Sequence, residues 1–267
     1  MSVLDIERGD GIMVLRLNRP ERMNALNPEL RGALAEAWTE FRDSRDLEVA
    51  IFTGTGRAFC AGEDMKESVA RGTVGAGTDP RSNLPNPYND GTLDKPVIVA
   101  VNGYAMGGGF MLVERADLRV AVRGATFESS EAKRWLLGGY HHGHQGNISH
   151  TVGTEMAFAF RFTAERLYEL GFLNRLTDAE NLIPTAREMA AHLLTLPPAS
   201  RVNTLTMMRA MRPHVPDELE ELARRLKEHG AKSDLMESRK AFAEKRAPNF
   251  KGWDHPEDRF RTPKLKR

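Results

Sequence analysis

Short apolar runs of strand length alternate with helical patterns along this chain. Residues 49–54 and 95–100 are rich in β-branched and small apolar residues and have the length of buried strands. Residues 3–6 and 11–17 alternate apolar and polar positions around Gly9-Asp10-Gly11, a pattern that predicts a β-hairpin. Together with the helical patterns between and after them, these runs predict an α/β fold.

Helical patterns start at recognisable caps and dominate the C-terminal half. Asn27 precedes Pro28, a pair typical of a helix start. Apolar residues then recur at helical spacing and predict a buried face: Leu30, Ala33, Leu34, Ala37, Trp38 and Phe41. We expect two regions, an α/β core over residues 1–195 and a helical region with a basic tail over residues 196–267.

Three consecutive glycines, Gly107, Gly108 and Gly109, lie where a predicted strand gives way to a helix expected over residues 110–117. Glycine allows unusual dihedral angles and close approach of the backbone to a ligand. The first N–H groups of a helix have no intrahelical partner and carry partial positive charge. This turn can therefore hold an oxyanion, or its glycines can serve only for tight packing of strand and helix.

A second turn of the same kind lies about forty positions earlier. Phe59-Cys60-Ala61 has strand character, Gly62 follows, and a helix is expected to start after Glu63 and Asp64. Two such turns in one domain can each direct one backbone N–H at the same oxygen. A pair of N–H donors is the usual composition of an oxyanion hole.

Two further segments stand out by composition. Residues 71–94 are polar and rich in Gly and Pro, which predicts a long mobile loop that is either a functional lid or a disordered segment. Residues 135–150 hold four of the eight histidines. No acidic residue or Cys accompanies them at a recognised ligand spacing, so we predict polar or pocket-lining roles and no metal site.

Composition narrows the class of protein. The 267 residues carry a net charge of +1, which gives no overall argument for nucleic-acid or membrane binding. The single cysteine, Cys60, suits a reducing compartment, and neither a signal peptide nor a membrane span is indicated, so a cytoplasmic location is expected. Residues 238–267 hold ten Lys and Arg against four acidic residues, with interleaved aromatics. This composition is typical either of a solvated basic end or of a site for a phosphate-bearing ligand with an aromatic base.

Four segments together resemble the enoyl-CoA hydratase/isomerase (crotonase) family: residues 18–26, 59–67, 101–109 and 241–250. The resemblance implies an α/β crotonase-like spiral of ββα units followed by C-terminal trimerisation helices. It also implies an enzyme that acts on an acyl-CoA thioester, with coenzyme A as part of the substrate and no other cofactor. A homotrimer or a dimer of trimers is the expected assembly.

The same resemblance assigns roles to individual residues. The oxyanion hole falls on the backbone N–H groups of Glu63 and Gly108, and the acid/base falls on Glu131. Glu63 departs from the family, where a small or apolar residue is usual. Contacts with substrate and coenzyme A are expected from Arg22, Ala61, Asp64, Lys66, Gly107, Met111, His141, His142, His144, Lys245 and Phe250.

Met111 is a departure with chemical consequences. The family's hydratases use two glutamates, and the position of the first is occupied here by Met111, whereas the second is Glu131. Hydration of a double bond needs one group to activate water and one to protonate carbon, and a thioether does neither. One carboxylate suffices to move a proton between two carbons, so the chemistry leans toward isomerisation. Glu114, one helical turn after Met111, is a partial substitute or a structural carboxylate.

Three functions remain open at this point. The first is hydration or double-bond isomerisation of an enoyl-CoA through Glu131. The second is a specialised C–C hydrolase or dehydratase of the same fold that uses the histidine-rich segment toward an oxygenated acyl group. The third is a non-catalytic relative that binds coenzyme A esters, which the intact glycine triplet and Glu131 argue against.

Overall fold

Between residues 49 and 128, consecutive strands of the chain enter two different sheets in alternation. The computed structural model describes residues 2–73, 75, 77–134, 137, 139–141 and 148–265. One sheet has six strands in the order β1-β2-β3-β5-β7-β10, and the other has four in the order β4-β6-β8-β9. Their bounds are β1 Leu4–Gly9, β2 Ile12–Leu17, β3 Val49–Gly54, β4 Ala58–Cys60, β5 Val97–Val101, β6 Tyr104–Met106, β7 Leu118–Val122, β8 Thr126–Glu128, β9 Phe162–Thr163 and β10 Arg175–Thr177.

Helices follow most of the strand pairs, which gives repeated ββα units. The α-helices are α1 Pro28–Asp43, α2 Met65–Arg71, α3 Pro87–Asp90, α4 Gly108–Arg115, α5 His150–Ala157, α6 Ala164–Glu169, α7 Leu182–Thr195, α8 Pro198–Ala210, α9 Asp217–Leu226 and α10 Ser233–Glu244. Short 3-10 helices cover Pro20–Arg22, Pro80–Asn83, Ala132–Arg134, Ala179–Asn181 and Pro256–Phe260. No helix in the described part of the chain is both long and apolar enough to cross a membrane.

Two compact units interleave along the sequence. The first comprises the described residues of Met1–Asp64, Ala76–Glu128 and Arg161–Arg212, and it contains both sheets. The second comprises those of Met65–Gly75, Ser129–Phe160 and Pro213–Arg267, and it contains helices α2, α5, α9 and α10. In the second unit, α10 packs against α2 and against the 3-10 helix Ala132–Arg134.

The predicted hairpin and first helix are confirmed. Strands β1 and β2 pair antiparallel with Gly9 opposite Ile12, and both turn residues, Asp10 and Gly11, have positive φ. This turn geometry follows the right-handed twist of the strands. The side chain of Asn27 accepts a hydrogen bond from Leu30 N and so caps α1.

The prediction of a long loop over residues 71–94 is wrong for its second half. Pro80–Asn83 and α3 are helical, and Tyr88 on α3 is buried. The Tyr88 ring stacks on Trp38 with a centroid distance of 4.6 Å, and its hydroxyl donates to the Leu112 carbonyl. An aromatic anchor in the core of the first unit therefore fixes this segment.

The central glycine segment also differs from the prediction. A second short strand, β6, lies between β5 and the glycines, and the helix runs over Gly108–Arg115 rather than 110–117. Asp117, predicted as the last residue of the helix, lies outside it. Its carboxylate accepts from Val97 N and from the guanidinium groups of Arg209 and Arg212.

Candidate active site

Three neighbouring parallel strands of the four-stranded sheet precede the predicted site segments. Strand β6 pairs in parallel with β4 on one side and with β8 on the other. The carboxyl ends of parallel strands meet at one edge of a sheet, where α/β proteins place their ligands. Ala61-Gly62-Glu63 follows β4, and Gly107-Gly108 follows β6. The Gly107 N–H donates to the Glu128 carbonyl at the end of β8, at 2.8 Å.

Gly62 and Gly108 lie against each other at this edge. A Cβ on Gly62 would lie 2.7 Å from Met106 O and 3.2 Å from Gly108 N, so only glycine fits without a shift. Gly62 also has φ +85, a left-handed value that favours glycine. Gly108 is the first residue of α4, so its N–H is one of those without an intrahelical acceptor. The structure thus brings the two predicted glycine turns together.

Leu26 holds the backbone on both sides of Glu63. Its N–H donates to Gly62 O at 2.7 Å, and its carbonyl accepts from Asp64 N at 3.0 Å. This pairing is a short parallel bridge between Leu26 and Glu63. The backbone on either side of the half-buried Glu63 is therefore fixed by hydrogen bonds within the first unit.

Arg19 clamps the same two segments together from the protein interior. Its guanidinium donates to Ala25 O at 2.5 Å and to Asp64 Oδ2 at 3.1 Å. Both side chains are buried, and a buried guanidinium–carboxylate pair with further hydrogen bonds is costly to break. Sequence reasoning missed Arg19 and Leu26 as supporting residues. They lie within residues 18–26, one of the four segments that carry the resemblance, and that was the available signal.

The other predicted coenzyme A contacts of the first unit differ in exposure. Arg22 is exposed, and Ala61 and Gly107 are half-buried. Asp64 is only 5% exposed, and Arg19 engages its carboxylate. The Asp64 side chain therefore stabilises the turn through Arg19, and little of its carboxylate is accessible to solvent. Its contact with coenzyme A stays a prediction.

Helix α4 carries Met111 and Glu114, and they differ in exposure. Met111 is half-buried in the first turn of the helix, where its N–H donates to Gly107 O. Glu114 is 1% exposed. Burial lowers the pKa of the Arg119 guanidinium to about 10. The negative charge of Glu114 acts in the opposite direction and favours the protonated guanidinium. The burial of Glu114 and its interaction with the charged Arg119 support the structural role for Glu114.

Glu131 belongs to the second unit and has a close hydroxyl partner. Ser129 Oγ donates to Glu131 Oε2 at 2.8 Å. Ser129 is buried, whereas Glu131 is half-buried. Glu131 follows the last residue of β8 by three positions in the sequence.

The described part of the histidine-rich segment shows an aromatic pair. The rings of Tyr140 and His141 meet edge to face at 5.0 Å between centroids. Tyr140 Oη donates to Glu220 Oε2 at 2.9 Å. Burial and this carboxylate raise the pKa of Tyr140 to about 12, so the phenol stays protonated at neutral pH. The predicted residues His142 and His144 lie outside the described residues.

Lys66, Lys245 and Phe250 are exposed residues of the second unit. Lys245 ends α10 in a left-handed conformation, with φ 56. The segment after it is held on α10, because Asn249 N donates to Glu237 Oε1 at 2.8 Å. Among the residues that the structure describes, no group of three or more His, Cys, Asp and Glu is arranged to hold a metal ion.

Comparison with known proteins identifies the family. A family model described as enoyl-CoA hydratase/isomerase matches residues 7–253. The chain is 32% identical over 263 residues to 1,2-epoxyphenylacetyl-CoA isomerase of Escherichia coli, covering 91% of this chain and 95% of the relative. It is 34% identical over 260 residues to carnitinyl-CoA dehydratase of Salmonella typhi, covering 93% and 98%.

The fold of this chain is also similar to that of solved structures. The crystal structure of carnitinyl-CoA hydratase from Mycobacterium avium superposes with a TM-score of 0.78 at 26% identity, covering 94% of this chain and 99% of that one. The crotonase-like α/β fold predicted from the four motifs is thereby confirmed. This chain belongs to the enoyl-CoA hydratase/isomerase family of enzymes.

Proposed function

We propose that this enzyme moves a double bond within an enoyl-CoA thioester, with Glu131 as its one carboxylate acid/base. The carboxylate removes a proton from the carbon next to the thioester carbonyl of a β,γ-enoyl-CoA. The electron pair moves into a dienolate whose negative charge rests on the thioester oxygen. The protonated Glu131 then returns the proton to the γ-carbon, which gives the conjugated α,β-enoyl-CoA.

One observation carries this proposal. Met111 occupies the position of the family's first catalytic glutamate, on the first turn of α4 and two residues beyond the glycine triplet. A thioether neither activates water nor protonates carbon. Proton transfer between two carbons needs no second carboxylate, so it is the reaction that these residues still permit.

The oxyanion hole is the second part of the proposal. The N–H groups of Glu63 and Gly108 are assigned to the thioester oxygen as it gains charge. Support comes from the packing of Gly62 against Gly108 and from the hydrogen bonds of Leu26 on both sides of Glu63. Donors held in place before the reaction need no reorganisation when charge develops, and loss of one such donor costs about 10²–10³ in rate.

The remaining predicted residues complete the proposal for binding. Contacts with substrate and coenzyme A are assigned to Arg22, Ala61, Asp64, Lys66, Gly107, Met111, His141, His142, His144, Lys245 and Phe250. A homotrimer or a dimer of trimers in the cytoplasm remains our expectation. Exposed apolar side chains on and beside α8, Met207, Met208 and Met211, support an assembly, because such patches often mark protein contacts.

Hydration or dehydration is the second candidate function. It is favoured by the relatives, which include a carnitinyl-CoA dehydratase and a carnitinyl-CoA hydratase. Oxygenated acyl groups are therefore worth testing as substrates beside simple enoyl groups.

The test compares two substrates with wild type and Glu131→Gln. Trans-3-hexenoyl-CoA is expected to gain conjugated enoyl-thioester absorbance with wild type and not with Glu131→Gln. Crotonyl-CoA is expected to lose that absorbance slowly, if at all. Fast hydration of crotonyl-CoA without conversion of the 3-enoyl substrate would favour the second candidate. Full isomerase activity of Glu131→Gln would overturn the assignment of the base.

A further inference from the structure

A buried hydroxyl lies beside the carboxylate that the proposed reaction depends on. Ser129 is 1% exposed, and its Oγ is 2.8 Å from Glu131 Oε2. An ionised carboxylate has only acceptors, so in the base form of Glu131 the hydroxyl is the donor. Hydrogen bonds of this charge-assisted kind are shorter and stronger than neutral ones.

Gly139 lies against this hydroxyl and also against the end of α5. A Cβ on Gly139 would lie 2.6 Å from Ser129 Oγ and 2.8 Å from the Cα of Ala157, at the end of α5. Gly139 has φ +77, so both its conformation and its surroundings favour glycine. Gly139 therefore packs against the buried Ser129 Oγ, and this hydroxyl is a fixed point for the more exposed Glu131.

From this geometry we infer that Ser129 is a positioning residue that fixes the orientation of the Glu131 carboxylate for proton transfer. The inference rests on the proposed function. A glutamate side chain has three rotatable bonds, and holding it in one geometry beforehand removes part of the entropy cost of the reaction. A hydroxyl also donates and accepts, so the contact survives when Glu131 carries the proton that it has taken from the substrate.

The role matters more here than in an enzyme with two carboxylates. Met111 occupies the position of the first glutamate, so the proposed proton transfer depends on one side chain. A less well oriented Glu131 carboxylate is therefore expected to lower kcat. Binding of the thioester is not expected to change, because Ser129 acts through Glu131 and does not contact the substrate.

The experiment measures kcat and KM for trans-3-hexenoyl-CoA in three variants. Ser129→Ala removes the hydroxyl and is expected to lower kcat about tenfold or more with KM nearly unchanged, the usual effect of losing a hydrogen bond to a charged group. Ser129→Cys keeps the size and a weak donor and is expected to fall between Ser129→Ala and wild type. Deuterium exchange at the carbon next to the thioester carbonyl is expected to slow by the same factor as kcat.

Thr126→Val is the matched control. Thr126 lies on β8, and its buried hydroxyl has no hydrogen-bond partner among the residues that the structure describes. Its removal is expected to leave kcat and KM at the wild-type values. Thermal melting of each variant shows whether the fold is kept, and exchange measured at substrate saturation separates chemistry from binding.

The outcomes separate the two proposals. If Glu131→Gln is inactive and Ser129→Ala retains full kcat, the positioning role is wrong while the function of Glu131 stands. A rise in KM alone for Ser129→Ala also overturns the positioning role. If Glu131→Gln remains active, the proposed function itself fails.

Discussion

Gly62 and Gly108 lie so close that a Cβ on Gly62 would stand 3.2 Å from Gly108 N and 2.7 Å from Met106 O. The converse is not true. A Cβ on Gly108 would find Leu26 Cδ1 at 3.4 Å, which is an ordinary contact. Gly62, which precedes the proposed donor Glu63, and Gly108, itself a proposed donor, therefore differ in how much they constrain the backbone.

The first prediction uses this difference. Gly62→Ala is expected to shift the backbone that carries Glu63 and to lower kcat about 10² or more, because the N–H would no longer meet the developing charge. It also places alanine at φ +85, which costs stability. Gly108→Ala, as the matched control, is expected to melt within a few degrees of wild type. Equal activity and melting temperature for the two variants would contradict the interpretation.

The second prediction adds the missing carboxylate. Met111→Glu is expected to raise hydration of crotonyl-CoA at least about tenfold, because general acid–base catalysis by a positioned group contributes about 10²–10⁴. The half-buried position on the first turn of α4 favours an ionised group, since the helix N-terminus stabilises negative charge.

Met111→Gln separates charge from shape in this test. It has nearly the same size as Met111→Glu but no acid, so its hydration rate is expected to equal that of wild type. Hydration that rises equally in both variants, or in neither, would show that Met111 is not what limits hydration.

The third prediction concerns the thiol next to the turn Ala61-Gly62-Glu63, which carries one proposed oxyanion donor. Cys60 is fully buried, and desolvation raises the pKa of its thiol to about 11. The unfolded thiol ionises at about pH 8.5, so between about pH 8.5 and 11 the unfolded state binds fewer protons than the folded one. Stability from this group is complete below about pH 8.5 and falls as the pH rises through that window.

Two measurements check this behaviour. Iodoacetamide at pH 8 is expected to leave the folded protein unmodified and to label it quickly in guanidinium chloride. The free energy of unfolding of Cys60→Ala is expected to fall less than that of wild type between pH 8 and 10. Rapid labelling of the folded protein would show that the thiol is accessible and its pKa is not raised.

Sequence patterns predicted the elements whose determinants are local. The hairpin around Asp10 and the cap at Asn27 depend on residues within four positions, and both are as expected. Strand β6 was missed because three residues give no period to detect. Its start is fixed by packing at Gly103, where a Cβ would lie 2.1 Å from Arg57 O.

The supporting residues of the site escaped sequence reasoning for the same physical reason. Arg19 reaches Asp64 across 45 positions, and Ser129 Oγ is packed by Gly139. Nothing in the local pattern around Arg19 or Ser129 indicates these partners. The glycine turns were found because glycine itself reports a backbone constraint, whereas an arginine or serine reports a constraint only through its contacts.

The fourth prediction concerns the segment after α10, which carries Phe250. Asp234 is 2% exposed, and its two carboxylate oxygens accept from Lys251 N at 2.8 Å and Gly252 N at 2.7 Å. Asp234→Asn replaces one acceptor by an NH₂ group that faces a backbone N–H. We expect KM for trans-3-hexenoyl-CoA to rise about tenfold, the usual cost of losing a hydrogen bond to a charged group, as the proposed coenzyme A contact at Phe250 loses its support.

A truncated substrate and a surface variant make this test specific. The N-acetylcysteamine thioester of the same acyl group lacks the nucleotide, so Asp234→Asn is expected to leave its kcat/KM unchanged. Asp254→Asn is the matched control, because Asp254 is exposed and its carboxylate pairs with the exposed Lys251 Nζ at 2.7 Å. If Asp234→Asn impairs both substrates equally, the segment supports the fold as a whole, and its role in holding coenzyme A is wrong.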